Sequence, residues 1–221
     1  MTRLARLPLR AWQAAKQRVK MRWRLVRPSA SWQTKGMAHS TKTALIIMPE
    51  GVEEVEAITP IDLLRRAGVD VTVASLSPEP RVTGRTNITI ATDTSLAAAA
   101  PTLHDLVILP GGPGVRHLRA SPAVIDVVKR HAAAGKLVAA ICAAPTVLKD
   151  AGLLERVPHT AHFSVESELP AMRKDEAVVR HGTLITSRGA GTAVPFSLAL
   201  ITALFDEAAS RKVAESICYP H

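Results

Sequence analysis

Lys136-Leu137-Val138-Ala139-Ala140-Ile141-Cys142-Ala143-Ala144-Pro145 is the stretch whose reading decides the fold. Its first six residues form an apolar run of strand length, and Pro145 is suited to the first turn of a helix. Cys142 therefore stands on a strand-to-helix turn. Such a turn exposes the side chain at its tip, and the free N–H groups and positive end of the following helix favour a thiolate over a thiol. This is a nucleophile elbow with sulfur in place of oxygen. For the segment taken alone, the other reading is a small buried apolar residue, because free cysteine is among the most buried side chains.

Working outward, short apolar runs alternate with longer stretches of helical spacing. Residues 43–48 read as a strand, 52–67 as a helix closed by Gly68, and 69–76 as a second strand. A Pro-rich connection leads to a short strand at 87–91. Residues 105–109 form an apolar strand ended by Pro110-Gly111-Gly112, and 122–134 a helix. After the strand that delivers Cys142, residues 146–154 continue as helix. Residues 177–180 and 184–186 make a hairpin at His181-Gly182, and a long helix covers 195–208. Continuous apolar strands separated by helices predict an α/β protein with a mostly parallel sheet covered on both faces. Ligands of such a sheet lie beyond the carboxyl ends of its strands. That rule selects four loops: 50–56, 111–114, 142–144 and 187–191.

The formal charge of +9 is unevenly distributed. Up to Lys42 there are eleven Lys or Arg and no acid, which leaves 17 basic against 19 acidic residues beyond. The high isoelectric point belongs to this leader, so no nucleic-acid partner is expected through the folded domain. The sequence thus divides into a basic leader at 1–42, a domain at 43–217 and a tail at 218–221. The leader resembles a mitochondrial transit peptide, whereas Met37 immediately before the first strand reads as an alternative start, with a cytoplasmic product. No apolar run approaches the roughly 18–20 residues of a membrane span. Cys142 and Cys218 offer neither a disulfide framework nor paired metal-ligand spacing, which fits a soluble protein in a reduced compartment.

A cysteine nucleophile needs an oriented acid or base and a place for oxyanion charge. The N–H groups of Gly111, Gly112 and Ala143 are candidates for the second. For the first, the sequence offers Glu53, Glu54 and Glu56 in one helical turn, and His162 in a short strand or loop after the Cys142 helix. His104, His117, His131 and His181 read as solvated.

Ala44-Leu45-Ile46-Ile47, Glu50-Gly51-Val52-Glu53-Glu54-Val55-Glu56-Ala57, Leu63-Leu64-Arg65-Arg66-Ala67-Gly68 and Val107-Ile108-Leu109 to Gly112 occur in this order. With Ala139 to Thr146 and Leu184 to Thr192 they resemble the DJ-1 family of the DJ-1/PfpI superfamily, over residues 43–216. The resemblance implies a flavodoxin-like three-layer sandwich, usually a homodimer, with an easily oxidised cysteine. It implies Cys142 as nucleophile, Glu56 as its carboxylate partner, Gly112 and Ala143 as oxyanion donors, and His162 as the histidine. Arg65, Arg66 and Arg85 fall where the family places arginines around the dimer interface and the site. The implied function is a glyoxalase III or protein deglycase acting on small reactive aldehydes or glycated proteins, with no metal or glutathione cofactor. The implied alternative is a redox-sensing, chaperone-like protein that works through oxidation of Cys142.

An ionised carboxylate beside the sulfur would repel a thiolate, so a useful Glu56 should be protonated and donate a hydrogen bond to it. Ala190, where many members have Pro, and residues 160–168 depart from the family pattern beside the pocket, so fold carries over more firmly than substrate preference. Ala143 follows the cysteine where the intracellular-protease branch has a histidine, which argues against a peptidase.

Overall fold

The structure is a computed structural model, and residues 41–220 are described. The basic leader and its start at Met37 therefore lie outside the described residues, apart from Thr41 and Lys42. The elements follow in chain order as β1 (Thr43–Met48), α1 (Glu54–Arg66), β2 (Asp70–Ser75), β3 (Arg81–Thr83), β4 (Thr89–Ala91), β5 (Thr94–Ser95) and α2 (Leu96–Ala99). Next come β6 (Leu106–Leu109), α3 (Val115–Arg119), α4 (Pro122–Ala133), β7 (Leu137–Ile141) and α5 (Pro145–Asp150). The last are β8 (Val178–His181), β9 (Leu184–Ser187), α6 (Ala193–Leu204) and α7 (Glu207–Ser216).

Seven strands form one sheet in the order β5-β2-β1-β6-β7-β9-β8. All neighbours are parallel except β8, which pairs antiparallel with β9 as a hairpin. The pleat sends alternate side chains to opposite faces. Ala44, Ile46, Met48, Ile108, Ala139 and Ile141 pack beneath α1 and α6, against Ala57, Leu64, Phe196 and Leu200. Leu45, Ile47, Val107, Leu109, Val138 and Ala140 meet α4 and α5, against Val124, Val128, Val147 and Leu148. Both faces are buried, which is why these strands read as unbroken apolar runs. The result is the α/β flavodoxin-like sandwich, and the carboxyl ends of β1, β6, β7 and β9 emerge on one edge.

Four expectations are corrected. The helix expected at 195–208 is two helices: Phe205 and Asp206 interrupt it, and the Asp206 side chain accepts the Ala209 N–H at 2.8 Å to open α7. Only 89–91 of the strand expected at 87–91 is extended. It pairs with β3 in a separate two-stranded ribbon, because Asn87 turns the chain at φ 65°. The helix expected at 146–154 ends at Asp150.

The fourth concerns His104 and His131, which are buried rather than solvated. His131 lies on the inner face of α4 with Val124, Val127 and Val128. Its Nδ1 donates to the Val127 carbonyl at 2.7 Å and its Nε2 accepts the His104 N–H at 3.1 Å. His117 and His181 are exposed, as read. Among the described residues no helix is long and apolar enough to cross a membrane.

Candidate active site

Cys142 is the residue at which β7 turns into α5, and its φ of 66° is left-handed. A non-glycine residue in that region costs on the order of 1–3 kcal/mol and persists only where its surroundings impose it. Here two hydrogen bonds do so. The Cys142 N–H donates to the Ser187 carbonyl at the end of β9 (2.9 Å), and the Cys142 carbonyl accepts the His162 N–H (2.8 Å). The elbow predicted from sequence is present, but α5 has only six residues.

Glu56, in the first turn of α1, is 1% exposed. Its Oε2 accepts the Gly111 N–H at 3.0 Å, and the carboxyl lies against the Cys142 side chain across Gly111. The choice among three glutamates is thereby resolved. Glu54 turns to the β3–β4 ribbon, where Oε1 accepts from the Thr86 N–H (2.8 Å) and hydroxyl (2.6 Å). Glu53 pairs with Arg85 at 3.0 Å.

Gly111 is corrected from oxyanion donor to support, because its N–H is committed to Glu56. A Cβ at Gly111 would lie 2.4 Å from Glu56 Oε2, 2.5 Å from Cys142 Cβ and 3.0 Å from Sγ, so only glycine lets acid and sulfur meet. The N–H groups of Gly112 and Ala143 are the ones directed at the sulfur.

Burial pushes the Glu56 carboxyl up to about 7. The Glu53 charge adds to the rise, while the thiol and the Gly111 and Ala190 N–H groups oppose it. Burial, and then the charge of Glu56, push the Cys142 thiol up to about 12 against the pull of Gly112 and Ala143. The sequence expectation of a thiolate favoured by the helix end is thus overturned: dehydration and a neighbouring carboxylate outweigh the short helix. A thiolate is accessible when Glu56 takes the proton, because that removes the repelling charge and makes the carboxyl a donor to sulfur.

His162 is brought beside Cys142 by its own backbone bond. Its Nδ1 accepts the Ser164 N–H at 3.2 Å, which leaves Nε2 to carry the proton of the neutral ring. His162, Arg85, Cys142, Glu56, Gly112 and Ala143 all line one cavity of about 450 Å³. Arg65 and Arg66 do not line it. They pair on the surface with Asp93 and Asp62. Sequence reasoning missed Arg116, Arg119 and Thr146 in the same wall. Arg116 and Arg119 follow the Gly111–Gly114 loop three residues apart, a helical spacing that could have shown them on one side of a short helix.

Fold and site together define an α/β protein with a cysteine on a strand-to-helix elbow and a carboxylic acid beside its sulfur. The family model of the DJ-1/PfpI family matches residues 42–203. Protein dj-1beta of Drosophila melanogaster is 39% identical over 80% of this chain and 97% of its own. The glutathione-independent glyoxalase DJR-1.2 of Caenorhabditis elegans is 35% identical over 80% of this chain and 96% of its own. The crystal structure of Drosophila melanogaster DJ-1beta superimposes with a TM-score of 0.78 at 38% identity, covering 82% of this chain and all of that one. This chain belongs to the DJ-1/PfpI family.

Proposed function

We propose that the pocket is that of a cofactor-independent cysteine enzyme for reactive carbonyls, converting methylglyoxal to lactate and removing early carbonyl adducts from glycated proteins. The observation that carries this reading is the buried Glu56 carboxyl, held by the Gly111 N–H at 3.0 Å and set against the Cys142 side chain across Gly111. The similarity to a relative described as a glutathione-independent glyoxalase supports it.

In the proposed sequence Glu56 accepts the thiol proton and sulfur adds to the aldehyde carbon. The hemithioacetal oxygen is held by the Gly112 and Ala143 N–H groups. Glu56 or His162 then moves the proton from the former aldehyde carbon to its neighbour, which leaves a thioester and a hydroxyl. Water hydrolyses the thioester to lactate and returns the thiol. The aldehyde is oxidised and the ketone reduced within one molecule, so neither metal nor glutathione enters the balance.

The test is incubation of the full chain with methylglyoxal, without glutathione or metal, beside Cys142→Ala and Glu56→Gln. Lactate formation lost in both variants is the expected result, and absence of lactate from a reduced wild-type sample overturns the reading.

A second reading, redox sensing through Cys142, is favoured by one feature. The N–H groups aimed at the sulfur, with a protonated Glu56, would equally hydrogen-bond the oxygens of a sulfinate. Peroxide titration followed by mass spectrometry and activity separates the two, since a sensor binds or releases partners on oxidation whereas an enzyme simply loses turnover.

We also propose a homodimer through the side of α1 that exposes Val55 (48%) and Ile58 (43%), next to Ile88 (55%) on the turn of the ribbon. Light scattering should give twice the chain mass, and Ile58→Glu should halve it. For location we propose the cytoplasm where translation starts at Met37, and mitochondria where the leader acts as a transit peptide. Fractionation with N-terminal sequencing tests both.

A further inference from the structure

Three arginines enter the wall of the candidate active-site cavity, and two of them are already neutralised. Arg85 is paired with Glu53 at 3.0 Å, and Arg119 with Asp150 (2.6 Å) and Glu168 (2.8 Å), which fixes α3 against α5 and the segment beyond it. Arg116 is different. It lines the same cavity, is exposed, and among the described residues makes no ion pair. Its Nε donates to His117 Nε2 at 3.2 Å, which steadies the side chain and leaves the outer N–H groups of the guanidinium available.

The cavity itself has little negative charge to satisfy this cation. Its acids are Glu53, committed to Arg85, and Glu56, turned to the thiol and to Gly111. Burial, the two groups' effect on each other, Glu53 and backbone N–H groups are the leading influences on the protonation of Cys142 and Glu56. The Arg116 charge stands in the wall of the cavity that holds Cys142, without an ion pair among the described residues. A neutral 2-oxoaldehyde leaves it unused, whereas a carboxylate pairs with its positive charge. An anionic substrate also needs such a cation, because the reactive Cys142–Glu56 pair carries one negative charge.

We propose that Arg116 makes this cavity selective for 2-oxoaldehydes that carry a carboxylate at the end remote from the aldehyde. The inference rests on the carbonyl-enzyme reading for its chemistry. With 4,5-dioxopentanoate as substrate, sulfur adds to C5, the C5 proton moves to C4, and hydrolysis of the thioester consumes one water. C5 is oxidised to a carboxylate and C4 reduced to a hydroxyl. The product is 2-hydroxyglutarate, with no external oxidant or reductant.

The test compares wild type, Arg116→Gln and Arg116→Lys in two assays. In the first, kcat/KM is measured for 4,5-dioxopentanoate and for the neutral chain 2-oxopentanal. In the second, Cys142 is alkylated by N-(iodoacetyl)glycine, whose carboxylate stands at the same remove from the reacting carbon, and by the corresponding amide. The modified peptide is quantified by mass, so that Cys218 does not contribute.

The anion-to-neutral ratio should fall by about tenfold in Arg116→Gln in both assays, as expected for loss of one partly exposed charge-assisted contact. Arg116→Lys should keep most of the ratio, the change should lie in KM, and raising salt to about 0.5 M should shrink the difference. An unchanged ratio in Arg116→Gln, or an equal fall in Arg116→Lys, overturns the proposal. Alkylation needs no turnover, so an Arg116-dependent alkylation ratio in a protein that converts neither aldehyde keeps the anion subsite and refutes the carbonyl enzyme. Turnover of both aldehydes with an anion-to-neutral ratio unchanged in Arg116→Gln does the reverse.

Discussion

Adding one methyl group at Gly111 should separate the acid from the sulfur and leave the fold standing. The new Cβ of Gly111→Ala would lie 2.4 Å from Glu56 Oε2 and 2.5 Å from Cys142 Cβ. Carbon atoms rest at about 3.5–4.0 Å, so one or both side chains must retreat by about 1 Å. Neither can do so freely. Cys142 is fixed through its own backbone to Ser187 and His162, and Glu56 loses its Gly111 N–H bond if it moves. Overpacking of this kind costs about 1–3 kcal/mol of stability, and a displacement of about 1 Å at a reacting group costs on the order of 100-fold in rate.

The assay is kcat/KM for methylglyoxal beside the rate of Cys142 alkylation by iodoacetamide, with thermal unfolding as the control for folding. Activity should drop by about 100-fold, the alkylation rate at pH 7.5 should fall because Glu56 no longer takes the thiol proton, and the unfolding transition should remain cooperative. A folded Gly111→Ala protein with activity and alkylation within threefold of wild type would refute the reasoning, since the contact would then not be what holds the pair together.

Four further outcomes follow from the structure. The first proton leaves the Glu56–Cys142 pair near pH 7, so the alkylation rate of Cys142 should rise through that pH; in Glu56→Gln no carboxylate takes the proton, burial holds the thiol up, and the rise should begin above the ordinary thiol range of about 8.5. Because the folded value of Glu56 lies above its usual 4.5, the stability it contributes is complete below pH 4.5 and lost as pH rises through about 7, a dependence that urea titrations should show abolished in Glu56→Gln. Burial, first of all, holds both His104 and His131 below their usual 6.5, so they contribute stability above pH 6.5 that is lost at lower pH, and His104→Phe should flatten the acid limb of the urea midpoint against pH. Asp206→Ala should cost about 1 kcal/mol by removing the cap that opens α7, read as a lower urea midpoint with activity retained.

The parallel sheet was legible because its strands are buried on both faces, so Leu45-Ile46-Ile47 and Leu137 to Ile141 carry no polar residue to blur them. The Cys142 elbow was legible for a related reason: an apolar run of strand length met Pro145 within four residues. What local pattern could not supply was the partner of the sulfur. Glu53, Glu54 and Glu56 occupy one helical turn, and their separate fates depend on Arg85, Thr86 and Gly111, each brought in from another part of the chain. The direction of the thiol shift failed for the same cause, since a helix end is visible in sequence and the dehydration of a cavity is not. His131 was misread because one histidine on a helix carries no mark of which face it occupies. The break at Phe205-Asp206 was hidden by alanine-rich flanks, although an Asp three residues before the N–H it caps was the available signal.

The backbone of Cys142 is clamped to two segments that are synthesised later, the His162 loop and the end of β9. The left-handed turn that presents the sulfur has no internal means of holding itself, so it cannot be set when β7 first leaves the ribosome. Only after β9 has docked beside β7, with the intervening loop laid across the elbow, do acid, donors and thiol come into register. The candidate site is thus complete only when segments far along the chain from Cys142 are in place, so a truncation that removes β9 removes the clamp on the elbow.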